Sequence, residues 1–342
     1  MCSAALGYVH NSIAAKMDAQ FISAVKTSRV NEPTRKQRLD QCHAIAREYN
    51  SPQYFASPDT FVPEPPAPDL ALKRLRSLKA GAAFDARWLD GFSALHPDTH
   101  DRYFAFEQSK HSHTRLLLHN EPRPAIILLH GYLGGAFWAE EFILAAKRWY
   151  RLGFDVALGL LPFHGHKRIP TEKLPLFPGK DARFTVECCR QGVHDVRTLT
   201  SYFLRHGAPR VGVMGMSLGG YVSSLAATIE SRLTFCVPII PFASFAELAR
   251  DRGTLGDNDA DFEEFLARRE AERSVSPLAR PSLVKSTLVL AAKADRVTPL
   301  RHAEMLARHF KGDLHVFAGG HILQTWRSRA YSTGERWLSA FL

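Results

Sequence analysis

One short stretch of this chain combines a nucleophile with a backbone able to expose it: Gly215-Met216-Ser217-Leu218-Gly219. A β-branched run, Arg210-Val-Gly-Val-Met214, leads into it, and an apolar helical stretch, Leu218–Ile229, leaves it. In a strand-turn-helix setting, a G-x-S-x-G lifts the serine hydroxyl above the edge of a sheet. Such a turn strains the serine backbone. Side chains two positions either way would collide with the adjoining strand and helix, which Gly215 and Gly219 avoid. The hydroxyl also stands at a helix N-terminus, where unpaired N–H groups favour negative charge. The plainer alternative is a serine that only caps the helix.

A serine hydroxyl needs a base, and the base needs an acid to fix its tautomer. On this type of turn the chain order is Ser, Asp or Glu, His. The apolar run Thr287-Leu-Val-Leu-Ala-Ala292 ends in Lys293-Ala-Asp295-Arg-Val-Thr-Pro299, and Leu314-His-Val-Phe317 ends in Ala318-Gly-Gly-His321. Alone, Asp295 reads as a turn residue, and His321 is one of 16 histidines. Together, at successive strand ends and in the required order, Ser217, Asp295 and His321 are the predicted catalytic set.

Acyl transfer also needs donors for the oxyanion. The N–H of Leu218 is the first expected donor. The second is expected from the loop after Ala125-Ile-Ile-Leu-Leu129, which reads His130-Gly131-Tyr132-Leu133-Gly134-Gly135. The Tyr132 N–H is the choice there, with Leu133 its nearest competitor, and His130 reads as a hydrogen-bonded loop residue. Phe163, His164 and Phe242 are expected to bind substrate, with Phe245 beside them; the three phenylalanines read equally well as ordinary core. His164 and His166 stand at ligand-like spacing, but no acid or thiol cluster nearby completes a zinc set. Asp257-Asn-Asp259-Ala-Asp261 resembles the start of a calcium loop. It has Phe262 where glycine is needed and Arg268 where glutamate is needed, so no EF-hand is expected. No metal and no cofactor is expected.

The elements that must position these groups follow from periodicity. Apolar strand-length runs at 125–129, 155–160, 210–214, 234–240, 287–291 and 314–317 alternate with helical patterns at 138–151, 193–205, 218–229, 300–310 and about 323–342. Alternation of this kind implies an α/β fold with a mostly parallel central sheet and helices on both faces. Ligands then sit at the C-terminal ends of the strands. Tyr103–Phe106 and Arg115–His119 read as an antiparallel hairpin at one edge. The charged segment Asp261–Glu272 reads as a solvated lid helix with an internal Glu264–Arg268 pair, inside an insertion at about 242–278. Residues 1–100 read as a helical extension, with helices at 34–49 and 70–79 around the proline-rich connector Phe61–Asp69. Residues 101–342 form the predicted catalytic domain.

Composition narrows the rest. The chain has 342 residues, 45 % hydrophobic and 23 % charged, which excludes wholesale disorder. No run reaches the length of a membrane-spanning helix, and the N-terminus lacks the pattern of a secretory signal. Five scattered cysteines, with no C-x-x-C, read as free thiols of a reducing cytoplasm. The net charge of +10 would favour weak association with an anionic membrane surface. The basic residues are dispersed and form no known nucleic-acid module, so nucleic-acid binding is not expected.

His130-Gly131, Gly215-Met-Ser217-Leu-Gly219-Gly220, Ala294-Asp295-Arg-Val-Thr-Pro299 and Gly320-His321 together resemble the α/β-hydrolase superfamily. The stretch from Pro162-Phe-His-Gly-His-Lys-Arg168 through the serine turn is similar to α/β-hydrolase-domain proteins with long N-terminal extensions. The resemblance covers about residues 101–342 and implies a serine esterase, lipase, thioesterase or peptidase mechanism. It disfavours a dehalogenase or epoxide hydrolase, which carry aspartate where this chain has Ser217. The expected function is hydrolysis of a small-molecule carboxylic ester through an acyl-enzyme. The alternatives are a thioesterase, lipase or acyltransferase with the same residues, or a ligand-binding protein that kept the fold and lost turnover.

Overall fold

Five consecutive apolar residues with no polar face need cover on both sides, and Ala125–Leu129 receives it. In the computed structural model all five are buried and form the parallel strand β4. The structure describes residues 2–27, 33–179, 181–256, 258–324 and 327–342, with side chains of the first helix described for 11–23. Asp257 of the calcium-like stretch and residues 325–326 of the expected last helix lie outside the described residues.

The helices are α1 (Cys2–Thr27), α2 (Arg35–Tyr49), the short α3 (Pro52–Ala56) and α4 (Pro58–Phe61), α5 (Pro97–Phe104), α6 (Phe137–Ile143), α7 (Ala146–Leu152), α8 (Ala182–Arg205), α9 (Leu218–Ala226), α10 (Phe245–Asp251), α11 (Asp259–Ala271), α12 (Leu300–Phe310) and α13 (Arg327–Leu338). The strands are β1 (Ala71–Leu78), β2 (Gly81–Leu89), β3 (His111–His119), β4, β5 (Asp155–Gly159), β6 (Val211–Met216), β7 (Leu233–Ile239), β8 (Ser286–Ala292) and β9 (Asp313–Phe317). They form one nine-stranded sheet in the order β1-β2-β3-β5-β4-β6-β7-β8-β9. β1, β2, β3 and β5 pair antiparallel in turn, and β5 through β9 run parallel. Two large hydrophobic clusters, one on each face of the parallel strands, make up most of the core.

An antiparallel hairpin opens the sheet as expected, but β1 and β2 form it, not Tyr103–Phe106 with β3. The stretch 70–79 reads as a helix because Leu72, Leu75 and Leu78 fall three apart. It is an edge strand, mostly exposed, whose Lys73, Arg74 and Arg76 keep the open edge from pairing further. Tyr103 and Phe104 belong instead to α5, which Pro97 begins at its first position. The expected helix over 138–151 is broken in two. Ala145 takes a left-handed φ of 54° between α6 and α7, and Phe142 ends up 75 % exposed rather than in the core.

The insertion carries α10 and α11, and its charged helix is less solvated than its pattern implies. Glu264 is fully buried, paired with Arg268 one turn on and also with Arg38 of α2, whose two nitrogens sit 2.7 and 2.9 Å from it. Arg35 reaches the Ala260 carbonyl at 2.8 Å, and Asn50 reaches the Glu270 carbonyl at 2.7 Å. α2 itself starts on a capping box between Thr34 and Gln37. Among the described residues no helix is long and apolar enough to cross a membrane.

Candidate active site

β6 runs into Ser217, which takes φ 56° and ψ −113°. That left-handed φ is strained for any residue with a Cβ. It is held by the Ser217 N–H donating to the Ile239 carbonyl at 2.9 Å, and by the Ser217 carbonyl accepting from Tyr221 at 3.0 Å. The flanking glycines answer to close approach. A Cβ on Gly215 would sit 2.1 Å from the Gly219 carbonyl oxygen, and one on Gly219 would sit 2.3 Å from that of Leu129. Neither backbone can retreat without moving the serine.

The ends of β8 and β9 bring the other two predicted residues to this turn. His321 Nε2 lies 2.9 Å from Ser217 Oγ, and His321 Nδ1 lies 2.8 Å from Asp295 Oδ2. Asp295 and Ser217 are buried, and the His321 side chain is 10 % exposed. Asp295 is fixed in turn. Its Oδ1 accepts the N–H groups of Val297 (2.9 Å) and Thr298 (2.7 Å), and its Oδ2 lies 2.9 Å from the Thr298 hydroxyl. That hydroxyl is also 3.1 Å from His321 Nδ1. This arrangement can move a proton from a serine hydroxyl to an imidazole whose charged form faces a buried carboxylate.

Leu218 opens α9, where first-turn N–H groups have no intrahelical acceptor. The loop holding Tyr132 passes directly beside it. A Cβ on Gly131 would lie 3.5 Å from both the Met216 carbonyl oxygen and the Ser217 Cβ. The loop is shaped by a turn from the Gly134 N–H to the Gly131 carbonyl (3.0 Å) and by buried Glu140, which accepts the Gly135 N–H at 2.9 Å. Sequence pattern does not single out Glu140, whereas Thr298 is signalled by the Asp295-Arg-Val-Thr-Pro299 turn.

His130 is a neutral brace between loops. Its Nδ1 lies 2.8 Å from the Gly131 carbonyl and its Nε2 accepts the Leu161 N–H at 3.1 Å, which puts the proton on Nδ1. Burial pulls its pKa down to about 4. A histidine whose folded pKa lies below its unfolded value contributes stability that is complete above the unfolded value. That stability is lost as pH falls toward the folded value. His130 should therefore cost the protein about 3 kcal/mol between pH 7 and pH 4. In urea titrations at those two pH values, His130→Gln should show a smaller loss than the parent by about that amount. Glu272, pushed up to about 7 by burial, has the opposite slope between its unfolded value and 7. It is present in both proteins and drops out of the difference.

The expected substrate-binding residues separate. His164 is buried, held by Nδ1 at 2.9 Å from the Pro162 carbonyl, with burial pulling its pKa down to about 3. It contributes to the wall of a groove of about 490 Å³ that also includes Leu133, Gly134 and Arg168. Phe163 is not on that wall. Its ring sits in an aromatic cluster with Tyr103, Phe106 and Phe184, because a φ of 58° turns it inward. Phe242 is buried too, stacked on Tyr221 with ring centres 4.5 Å apart and packed on Phe245. Both rings are spent on packing.

Among the described residues, the group of acids and histidines whose donor atoms converge to metal-binding distance is Asp90, His194 and Asp195. His164 and His166 are not part of it. The Lys167 ammonium lies 3.3 Å from Asp90 and 3.0 Å from Asp195, so a cation already fills the place between the carboxylates. Cys42, Cys188, Cys189 and Cys236 are free and buried, and burial pushes their thiols up, away from the reactive thiolate.

Nine-tenths of the chain superposes on each of two solved enzymes. Acetyl xylan esterase 1 from Thermoanaerobacterium sp. gives a TM-score of 0.55 at 16 % identity, over 90 % of this chain and 95 % of that one. An acetyl xylan esterase from Paenibacillus sp. R4 gives 0.55 at 14 % identity, over 90 % and 96 %. This chain has the α/β-hydrolase fold. In it Ser217 stands on the turn between β6 and α9. Two uncharacterised proteins of Mycobacterium tuberculosis, Rv2627c and MT2702, are each 27 % identical over 295 residues, spanning 83 % of this chain and 71 % of theirs. No family model matches.

Proposed function

We propose that this α/β-hydrolase-fold protein is a serine hydrolase of carboxylic esters. The observation that carries the reading is the unbroken contact from Ser217 Oγ to His321 Nε2 (2.9 Å) and from His321 Nδ1 to Asp295 Oδ2 (2.8 Å). Ser217 attacks the ester carbonyl as His321 Nε2 takes its proton, and Asp295 stabilises the imidazolium. The N–H groups of Leu218 and Tyr132 receive the oxyanion. His321 then protonates the leaving alcohol, and a water activated at the same nitrogen releases the acid. The groove beside Leu133 is the proposed seat of substrate, with His164 in its wall. The acetyl xylan esterase names of the two superposed enzymes support an ester as the substrate class. A thioesterase, lipase or acyltransferase would use the same residues.

A fluorophosphonate probe tests the reading. It should label Ser217, labelling should disappear on heat denaturation, and p-nitrophenyl esters of graded chain length should turn over with an optimum that reports groove depth. A folded protein that neither labels nor turns over any of these esters would overturn it.

A further inference from the structure

The acid and the base of the proposed reaction sit on two separate loops, and one carboxylate from the far N-terminal helix ties those loops together. Asp18 of α1 is fully buried. Its Oδ2 accepts the Arg296 N–H at 3.0 Å and the His321 N–H at 2.9 Å, and its Oδ1 accepts the Ile322 N–H at 2.9 Å. Arg296 directly follows Asp295, so a single side chain bridges the backbone beside the acid to the backbone of the base. One turn and more upstream on the same face, Ala14 packs on the His321 loop. A Cβ on Gly320 would come within 3.0 Å of the Ala14 Cβ and 2.8 Å of Asp18 Oδ2. Asn11 Oδ1 accepts the Gly319 N–H at 2.9 Å. The spacing Asn11, Ala14, Asp18 is one helical stripe.

We propose that Asp18 is a positioning residue: through it, docking of α1 holds Asp295 and His321 in register. The inference rests on the serine-hydrolase reading and adds a dependence on a helix outside the sheet. The turn at 295–298 is stiff in itself, since Asp295 Oδ1 accepts two of its N–H groups. What remains to be set is where the His321 backbone stands relative to that turn. Backbone N–H groups bound to a carboxylate make short, charge-assisted bonds. Three of them spanning both loops limit the relative motion that would lengthen the acid–base contact. Catalytic groups must be held to about half an ångström, and a misplacement near 1 Å costs roughly a hundredfold in rate.

The test uses the full chain. Asp18→Ala removes all three acceptor contacts and should lower kcat about 10²-fold while KM stays within about twofold. Asp18→Asn can keep its carbonyl oxygen where Oδ2 bridges Arg296 and His321, but its NH₂ then faces the Ile322 N–H and the charge is gone, so its loss should be intermediate. Lys16→Ala, on the exposed side of the same helix, should leave kcat and KM unchanged. Fluorophosphonate titration counts competent sites, so kcat is expressed per site rather than per molecule. The second readout is the proton NMR signal of the His321 Nδ1–H shared with Asp295, assigned by its loss in Asp295→Asn. It should be far downfield in the parent and move upfield in Asp18→Ala. That signal does not depend on turnover. If the parent hydrolyses no ester yet the signal shifts in Asp18→Ala, the positioning role stands and the hydrolase reading falls. The inference is overturned by an unchanged signal with unchanged kcat per site, by activity lost only in proportion to titratable sites, or by a parent that shows no shared proton.

Discussion

Replacing Ser217 with alanine should reduce ester turnover by roughly 10⁵–10⁶-fold and leave the fold intact. The substitution removes one oxygen, the one 2.9 Å from His321 Nε2. Everything that shapes the turn is backbone: the Ser217 N–H to Ile239, its carbonyl to Tyr221, and the close approach of Gly215 and Gly219. Alanine tolerates the strained φ no worse than serine, so circular dichroism and the unfolding midpoint should match the parent. The residual rate should be that of the oxyanion donors and the groove alone, about 10³–10⁴-fold above water. Covalent labelling by a fluorophosphonate should vanish. A variant that keeps even a tenth of parental turnover would remove Ser217 from the mechanism.

Asp295→Asn should cost about 10⁴-fold in kcat by a different route. Asp295 Oδ1 accepts the N–H groups of Val297 and Thr298, and Oδ2 faces His321 Nδ1 at 2.8 Å. An asparagine will keep its carbonyl oxygen where the two N–H groups are and turn its NH₂ toward His321. That donor forces Nδ1 to accept, so the ring proton moves to Nε2 and points at Ser217 Oγ. The imidazole then cannot take the serine proton, and its charged form loses its counter-ion. The signature is a fall in kcat with little change in KM at neutral pH, partly restored as pH rises and hydroxide substitutes for the missing base. An unchanged rate would mean that the carboxylate contributes only structure.

How much of this was legible beforehand depends on whether a segment's pattern is set by local packing. The runs Ala125–Leu129 and Thr287–Ala292 are apolar throughout because both faces are covered, and both are strands where expected. The turn around Ser217 announces itself because two glycines are required within bonding reach of each other. The edge strand β1 has neither property. Its side chains face water, so its leucines fall into a helical spacing that the structure does not use. Pocket wall and core are equally open for Phe163 in the sequence, because a positive φ, invisible in a single sequence at a non-glycine residue, decides which way its ring points. Asp18 lay beyond reach for a simpler reason: its partner His321 is 303 positions away, and an aspartate in a helix that bonds backbone N–H groups leaves no pattern at all.

The seam between α2 and α11 bears on how firmly the insertion is held. Raising α11 would sever two Arg38–Glu264 bonds, the Arg35 bond to Ala260 and the Asn50 bond to Glu270. At about 1 kcal/mol each, that is roughly 4 kcal/mol, and the raised form would make up about one molecule in a thousand. The N-terminal segment thus works as a clamp on the insertion, pinning a helix more than 200 positions further along the chain.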